Sequence, residues 1–505
     1  MKEFDRAKVL SASRMVAAAA IVALAAPRVL TVTVAQLWAP FDLTLEVPTV
    51  NTILLLRQGV DVYARETFDA PPFNLLMYTP AYHYLVALMP WPSEISPFAI
   101  PRLVSTIAML LAAATLFWTP VARGGWLMAA AAAGFFLAIP AVTWNIAYAR
   151  QDPMALVLSL VAVLVLSRGV TRGAIVLSAA LAALAVLTKQ SYLSAAVAGT
   201  VYLWVARRPH CRIFVLTLGV IGAVFTAGAH IAWGAGFWWS VLVAPTQSFD
   251  WTLYRTLPAQ MAIEWTYVAV VAGGLFIWGL TTARWLSTGR GAFTPLTVYV
   301  PVAFLVCALM LGKRGAGLNY FFEPTLALLA YLVERDDPAP QSARARSGLA
   351  LVLLALVSLF ILDYVRVPAD GYTLLPGRRL AETNRFTDQL RAEVAALDGP
   401  KGRILFPPYM SPNFAYSLGG PVYVNDPVLY SLLWREGKLS VDSFIESVAS
   451  GYFDLVVVPP DEDLRRPRYS FHAGTDRFYE ALRRRYRLER TGLFQYHVRR
   501  AALAP

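Results

Sequence analysis

The sequence predicts a polytopic α-helical membrane protein with a smaller α/β domain at its C-terminal end, and three observations carry that prediction. Of the 505 residues, 57% are hydrophobic and only 15% charged, with a mean hydropathy of +0.52, well above the apolar share of ordinary soluble domains. Apolar runs follow one another through residues 1–362, separated mostly by short basic loops. From Asp363 onward the composition changes to that of a soluble domain, which divides the chain into 1–362 and 363–505. The net charge of +12 does not point to nucleic acid, because much of the Lys and Arg sits between apolar runs, where it sets topology. The two cysteines, Cys211 beside a basic loop and Cys307 inside an apolar run, support neither a disulfide framework nor a Cys metal site.

The elements follow in order. Lys2, Arg6 and Lys8 precede the run Met15 to Ala26, whose small residues from Ala23 resemble a cleavage site. Apolar character resumes from Val29 to Leu37, longer than a signal peptide needs, so a retained first span is expected, with Arg28 near its outer end. The polar stretch 38–100 is the first outer loop, crowded with carboxylates, prolines and aromatics. Further spans are expected near 102–119, 126–144, 154–167, 174–187, 191–206, 213–233, 265–283, 296–312, 318–333 and 348–362, about eleven in all on the ~20-residue criterion, relaxed for the shorter ones.

Ala174 to Ala206 decides the parity. As one helix it would run ~50 Å at 1.5 Å per residue, too long for a ~30 Å hydrocarbon core, and it carries Thr188, Lys189 and Gln190 at its middle. A hairpin is therefore expected. Its flanks hold Arg168, Arg172, Arg207, Arg208 and Arg212, which puts them in the cytoplasm and the Thr-Lys-Gln tip on the other side. Arg123, Arg284, Arg290, Arg335, Arg344 and Arg346 then also fall inside. The expected protein is a multi-pass resident of the cell membrane, with a cytoplasmic N-terminus and an extracytoplasmic C-terminal domain.

Within that domain Arg403 to Phe406, Val422 to Val424 and Asp454 to Val458 read as short buried strands, and Phe444 to Ser450 and Arg477 to Arg485 as helical. Asn425-Asp426-Pro427 reads as a turn. No Gly-rich phosphate loop, GxSxG elbow, HExxH or paired CxxC occurs there, so no catalytic role is expected of this domain.

The residues capable of chemistry gather on the outer face. The first loop supplies Asp42, Glu46, Gly59, Tyr63 and Tyr78-Thr-Pro-Ala-Tyr82, and the second supplies Arg150 and Asp152. The topology adds Lys189, Gln190, Arg255, Lys313, Arg314, Asn319, Tyr320 and Glu323. Two carboxylates among several cations suit attack by a hydroxyl on a carbon that bears a phosphate. Glu46 is the expected general base and Asp152 its supporting carboxylate; a carboxylate can take the proton of an attacking hydroxyl, as it does in inverting glycosidases. A phosphate departs without a general acid when cations neutralise it, and Arg150, Lys189, Arg255, Lys313 and Arg314 are the candidates. A polyprenyl tail would lie in the bilayer between helices.

At these positions the chain resembles a known family. An acidic residue early in the first outer loop, G-x-x-x-Y (Gly59 to Tyr63), Tyr-x-Pro-x-Tyr (Tyr78 to Tyr82), Arg-x-Asp (Arg150 to Asp152), Lys-Gln (Lys189, Gln190) and Asn-Tyr-Phe-Phe-Glu (Asn319 to Glu323) are similar to the membrane-embedded GT-C glycosyltransferases. Among them the likeness is to bacterial relatives of protein O-mannosyltransferases and of the lipid A aminoarabinose transferase, a family 39-like group. The resemblance implies transfer of a sugar from a polyprenyl-phosphate donor to a glycan, lipid or protein acceptor at the extracytoplasmic face. It places Asp42, Tyr63, Tyr78, Tyr82, Gln190, Asn319, Tyr320 and Glu323 around the substrates. That family's loop commonly begins Asp-Glu where this chain has Leu45-Glu46, and no metal cofactor is expected. The alternatives are a lipid or polyprenol transporter, which should show internal repeats, and a non-catalytic membrane assembly protein.

Overall fold

The computed structural model describes residues 3–37, 39, 46–92, 95–119, 126–262, 265–289, 293–335, 375–398, 402–406, 420–458 and 475–500. Asp42, the span expected at 348–362, and Arg123, Arg290, Arg344 and Arg346 lie outside the described residues.

Helices occupy the other expected spans: Glu3–Leu37, Ala99–Ala114, Trp126–Ala138, Asp152–Arg168, Arg172–Thr188, Ser194–Ala206, Arg208–Trp238, Trp265–Thr288, Pro295–Leu311 and Phe322–Arg335. Among the described residues four segments are long and apolar enough to cross a membrane by themselves: Ala18–Leu37, Ala99–Trp118, Arg208–Val243 and Thr266–Thr288. Trp126–Ala138, Arg172–Thr188, Ser194–Ala206 and Pro295–Leu311 are shorter apolar helices of 10–17 residues, the kind for which the length criterion is relaxed, and with 348–362 outside the described residues the count of about eleven is not confirmed. The inner faces of the helices mesh through small residues, among them Ala129, Ala132, Ala155, Ala179, Ala182 and Ala185, which let backbones approach closely where no hydrophobic driving force acts between helices. Outward faces expose Leu216, Val220, Val224 and Ile231, as a surface meeting lipid does.

The hairpin at Arg172–Ala206 has a local cause. Thr171 caps its first helix by accepting the Ala174 N–H at 3.2 Å. That helix stops at Thr188 because Lys189 is extended (φ −154, ψ 119), and the chain turns through Gln190 before Ser194–Ala206. In the first loop, helix Val47–Arg57 begins with Pro48 in its first turn and ends on Gly59 (φ +77). There the Gly59 N–H bonds the Leu56 carbonyl and the Val60 N–H bonds the Leu55 carbonyl, both at 3.0 Å. This is the Schellman stop, which needs a residue tolerant of the left-handed region.

The C-terminal domain holds a four-stranded sheet in the order β1-β2-β4-β3, from β1 Ile404–Leu405, β2 Leu455–Val458, β3 Tyr486–Thr491 and β4 Gln495–Arg499. β1 and β2 are parallel; β4 pairs antiparallel with β2 and with β3. Helices Leu375–Ala395, Pro427–Arg435, Asp442–Ala449 and Thr475–Arg485 accompany it. β2 is buried throughout because both faces are covered, which explains its unbroken apolar run. Val456 and Val458 face a core with Phe68, Phe73 and Leu75 of the first loop. Leu455 and Val457 face another with Val47, Val50, Phe98 and Ala149. The domain therefore grips the first loop through two separate cores. One expectation fails here: Val422 to Val424 is not a strand but an irregular segment whose Val424 is left-handed (φ +57) and donates its N–H to the Pro72 carbonyl at 2.8 Å.

Candidate active site

The first loop enters the site through Glu46, whose side chain is fully buried. Arg102, near the start of helix Ala99–Ala114, holds it as a fork, with Nε 2.9 Å from Oε1 and Nη2 2.6 Å from Oε2. The Ala149 N–H donates to Oε1 at 2.7 Å. Arg102 also donates Nη1 to the carbonyls of Gln36 (3.0 Å) and Ala39, so one guanidinium ties the end of the first helix to the loop. A bidentate fork of this kind fixes both partners in geometry. Glu46 thus does not face water, as the sequence reading supposed; both its oxygens are engaged in a closed ion pair.

The second centre is built where two helices meet end to end. Asp152 opens helix Asp152–Arg168, and Lys189 follows the last residue of the neighbouring helix Arg172–Thr188. Lys189 Nζ stands 2.6 Å from Asp152 Oδ1, and Asn319 Nδ2 donates to the same oxygen at 2.6 Å, leaving Oδ2 outside both bonds. The ammonium lies over the rings of Tyr78 (5.7 Å) and Tyr320 (5.2 Å), each a cation–π arrangement. Burial pushes the Tyr78 hydroxyl up to about 12, with Lys189 pulling the other way, so it remains an O–H donor at neutral pH. The Gln190 amide donates to the Met77 carbonyl at 2.7 Å, which fastens the first loop to the hairpin tip. The structure therefore brings Tyr78, Asp152, Lys189, Gln190, Asn319 and Tyr320 together on the face that carries the C-terminal domain.

Glu323 lies on helix Phe322–Arg335. Three hydroxyls converge on its carboxylate: Ser159 Oγ (2.5 Å) and Tyr299 OH (2.9 Å) on Oε1, and Ser194 Oγ (2.9 Å) on Oε2. It ties the helices of Ser159, Ser194 and Tyr299 to its own.

The other expected residues are dispersed. Tyr63 donates its hydroxyl to the Tyr78 carbonyl at 2.8 Å, and Tyr82 donates to the Pro101 carbonyl at 2.9 Å; both are buried supports of the loop. Arg150 lies over the Tyr148 ring (5.5 Å), two residues before Asp152. Lys313 is half-buried, and its ammonium is lowered to about 8 by burial first and then by repulsion from Lys189 and Lys438. Arg314 stands 3.9 Å from Asp250, and Arg255 is exposed on helix Trp251–Ala262. Sequence reasoning missed Arg102, Ser159, Ser194, Tyr299 and Lys438. Only Arg102 left a signal, as a cation at the outer end of an apolar run. Among the described residues no three His, Cys, Asp or Glu side chains group as a metal site.

No family model and no curated protein matches the chain. Solved structures do. The chain is similar to ArnT from Cupriavidus metallidurans bound to undecaprenyl phosphate, with a TM-score of 0.56 at 16% identity over 96% of this chain and 99% of that one. The apo form of the same protein gives a TM-score of 0.59 at 15% identity, over 95% and 97%. The likeness runs nearly end to end, so this chain shares their GT-C fold.

Proposed function

We propose that this protein transfers a sugar from a polyprenyl-phosphate donor to a hydroxyl of a glycan, lipid or protein acceptor, at the membrane face that carries the C-terminal domain. The observation that carries the reading is the Asp152–Lys189–Asn319 centre, a desolvated cation paired with a carboxylate that an amide also binds, and flanked by two tyrosines. Lys313 adds a second cation, disfavoured as an ammonium by burial first and then by repulsion from its cationic neighbours. An anion arriving there relieves that repulsion, which is what a phosphate site requires. The neighbour ArnT bound to undecaprenyl phosphate adds support from the shared fold.

The step this arrangement suits is a displacement with inversion. The acceptor oxygen attacks the anomeric carbon, the bond from that carbon to the phosphate oxygen breaks, and polyprenyl phosphate leaves with the electron pair. The acceptor proton passes to a carboxylate. Glu46, closed by Arg102, serves in this reading as the residue that holds the loop against the membrane bundle. The proton then goes to Asp152 through Oδ2, or to Asp42, four residues before Glu46 in the sequence. Lys189 and Lys313 offset the charge on the leaving phosphate, so the reaction runs without a divalent ion. In this reading the C-terminal domain lies outside the cytoplasm, which the distribution of basic loops in the sequence supports.

The test is turnover of a synthetic polyprenyl-phosphate sugar by purified protein, read as released polyprenyl phosphate. Lys189→Met should abolish most of it. Parental turnover in that variant would remove the cationic phosphate site from the mechanism.

A further inference from the structure

The C-terminal domain bonds the backbone of the loop that leads to the Lys189 centre through Asn425. Asn425 is 1% exposed. Its Oδ1 accepts the Leu75 N–H at 2.7 Å and its Nδ2 donates to the Leu75 carbonyl at 3.0 Å, reproducing one rung of an antiparallel ladder with a side chain in place of a strand. The neighbouring Val424 N–H binds the Pro72 carbonyl at 2.8 Å. Both sides of this contact are strained: Val424 (φ +57) and Phe73 (φ +56) are the two non-glycine residues with positive φ among the described residues. A β-branched valine enters the left-handed region only where its surroundings hold it there. Asp426 fixes the other side of Asn425 by capping helix Pro427–Arg435 through the Leu429 N–H at 2.9 Å, so the asparagine has no slack.

From Leu75 the loop runs without secondary structure to the site and is held at nearly every residue. Asn74 accepts from Asn51 (3.0 Å), Met77 accepts from Gln190 (2.7 Å), the Tyr78 carbonyl accepts from Tyr63 (2.8 Å), and Thr79 donates to the Val186 carbonyl (3.0 Å). Tyr78 then lays its ring beneath the Lys189 ammonium. A displacement at Leu75 has three residues of chain in which to dissipate before it reaches Tyr78.

We propose that Asn425 is a positioning residue for the membrane site, setting through the Leu75 peptide group where Tyr78 stands against Lys189, and that the C-terminal domain is by this contact a working part of the donor-phosphate site. The donor half of this statement rests on the function proposed above. A second tie between the domain and the membrane part, the Ser248 N–H donating to Glu436 Oε1 at 2.8 Å, involves no residue of the 72–80 loop and serves as the control for its exchange; affinity is not read in that variant, because Glu436 Oε2 also holds Lys438 at 2.8 Å.

The experiment uses the full chain in lipid nanodiscs, with undecaprenyl phosphate as the probe. Two readouts are taken: its affinity, and amide hydrogen exchange over residues 72–80. In Asn425→Ala, exchange at Met77 to Thr79 rises and affinity falls about tenfold, the scale of one buried hydrogen-bonded contact. Asn425→Asp, which keeps the acceptor for the Leu75 N–H, falls between Ala and parent. Glu436→Ala leaves exchange over residues 72–80 at the parental value. Unchanged exchange over β2 and β4 certifies that the domain is folded in each variant. Parental affinity in Asn425→Ala despite faster exchange overturns the proposal, since the contact is then only a docking bond. An equal rise of exchange at Met77 to Thr79 in Glu436→Ala overturns it too, because any loosening of the domain would then do the same. If the parent protein binds no undecaprenyl phosphate, the donor reading falls separately. Exchange at Met77 to Thr79 then decides the positioning claim alone: protection retained in Asn425→Ala ends it, and protection lost supports it.

Discussion

Lys189 and Asp152 stand 2.6 Å apart between the C-terminal end of helix Arg172–Thr188 and the N-terminal end of its neighbour Asp152–Arg168. Each charge has the sign that the adjoining helix end favours, a carboxylate where N–H groups are unpaired and an ammonium where carbonyls are. The side chains are only 5% and 6% exposed, so water screens neither. Removing one partner leaves the other buried and uncompensated, at a cost of ~3–5 kcal/mol. Asp152→Asn and Lys189→Met should each lose stability on that scale, while the double variant loses less than their sum. Thermal unfolding of the four proteins in one detergent measures the coupling, and strict additivity would show that the pair does not act as one unit.

The base is decided by comparing three carboxylates. Glu46→Gln breaks the charge balance with the fully buried Arg102, and should lower stability by ~3–5 kcal/mol while its folded fraction turns over at close to the parental rate. Asp152→Asn or Asp42→Asn, whichever removes the proton acceptor, should cost 10²-fold to 10⁴-fold per folded molecule, roughly the worth of a general base. A folded Glu46→Gln protein with no turnover would return the role to Glu46.

What the sequence made legible follows physical range. The hairpin at Thr188-Lys189-Gln190 could be read because helix length against bilayer thickness is a local sum. Lys189, Asp152 and Asn319 could be nominated because polar groups in apolar surroundings stand out, but their convergence could not, since 167 residues separate Asn319 from Asp152. Arg102 was missed because its partner lies 56 residues away and no periodicity links them. Val422 to Val424 has the composition of a strand, yet the loop it meets pulls it into a strained bend. β3 was missed for the converse reason. Arg487, Glu489 and Arg490 make Tyr486–Thr491 look like a solvated loop, while its place is the edge of the sheet, where charges discourage further pairing.

Gly236 shows how closely the first loop is seated on the bundle. A Cβ at that position would collide with the backbone carbonyl oxygen of Tyr63, a group that cannot swing aside as a side chain can. Tyr63 in turn packs its ring against Trp233 and Phe237 at 5.0 Å each and holds the Tyr78 carbonyl. Gly236→Ala should therefore cost ~1–3 kcal/mol, as overpacking does, and lower turnover through the displaced loop. An unchanged melting temperature would show that the loop and the helix are not in contact here.

Lys313 gives the pH dependence its sign. Its folded-state value, about 8, lies below the ordinary 10.5 because burial and the charges of Lys189 and Lys438 disfavour the ammonium. Between those two values the unfolded chain binds more protons than the folded one, so this group makes stability rise with pH from about 8 toward 10.5. Phosphate binding runs the other way, because it needs the ammonium and loses it as pH rises through about 8. A bound phosphate should itself lift the Lys313 value by supplying the opposite charge. Affinity for undecaprenyl phosphate measured from pH 7 to pH 10 should fall with a midpoint near 8 or above in the parent, and Lys313→Met should flatten that fall while binding more weakly at pH 7. An NMR titration of isotopically methylated lysines, with and without the ligand, reads the shift directly. A Lys313 signal that titrates near 10.5 in both states would remove this residue from the phosphate site and leave Lys189 as its cation.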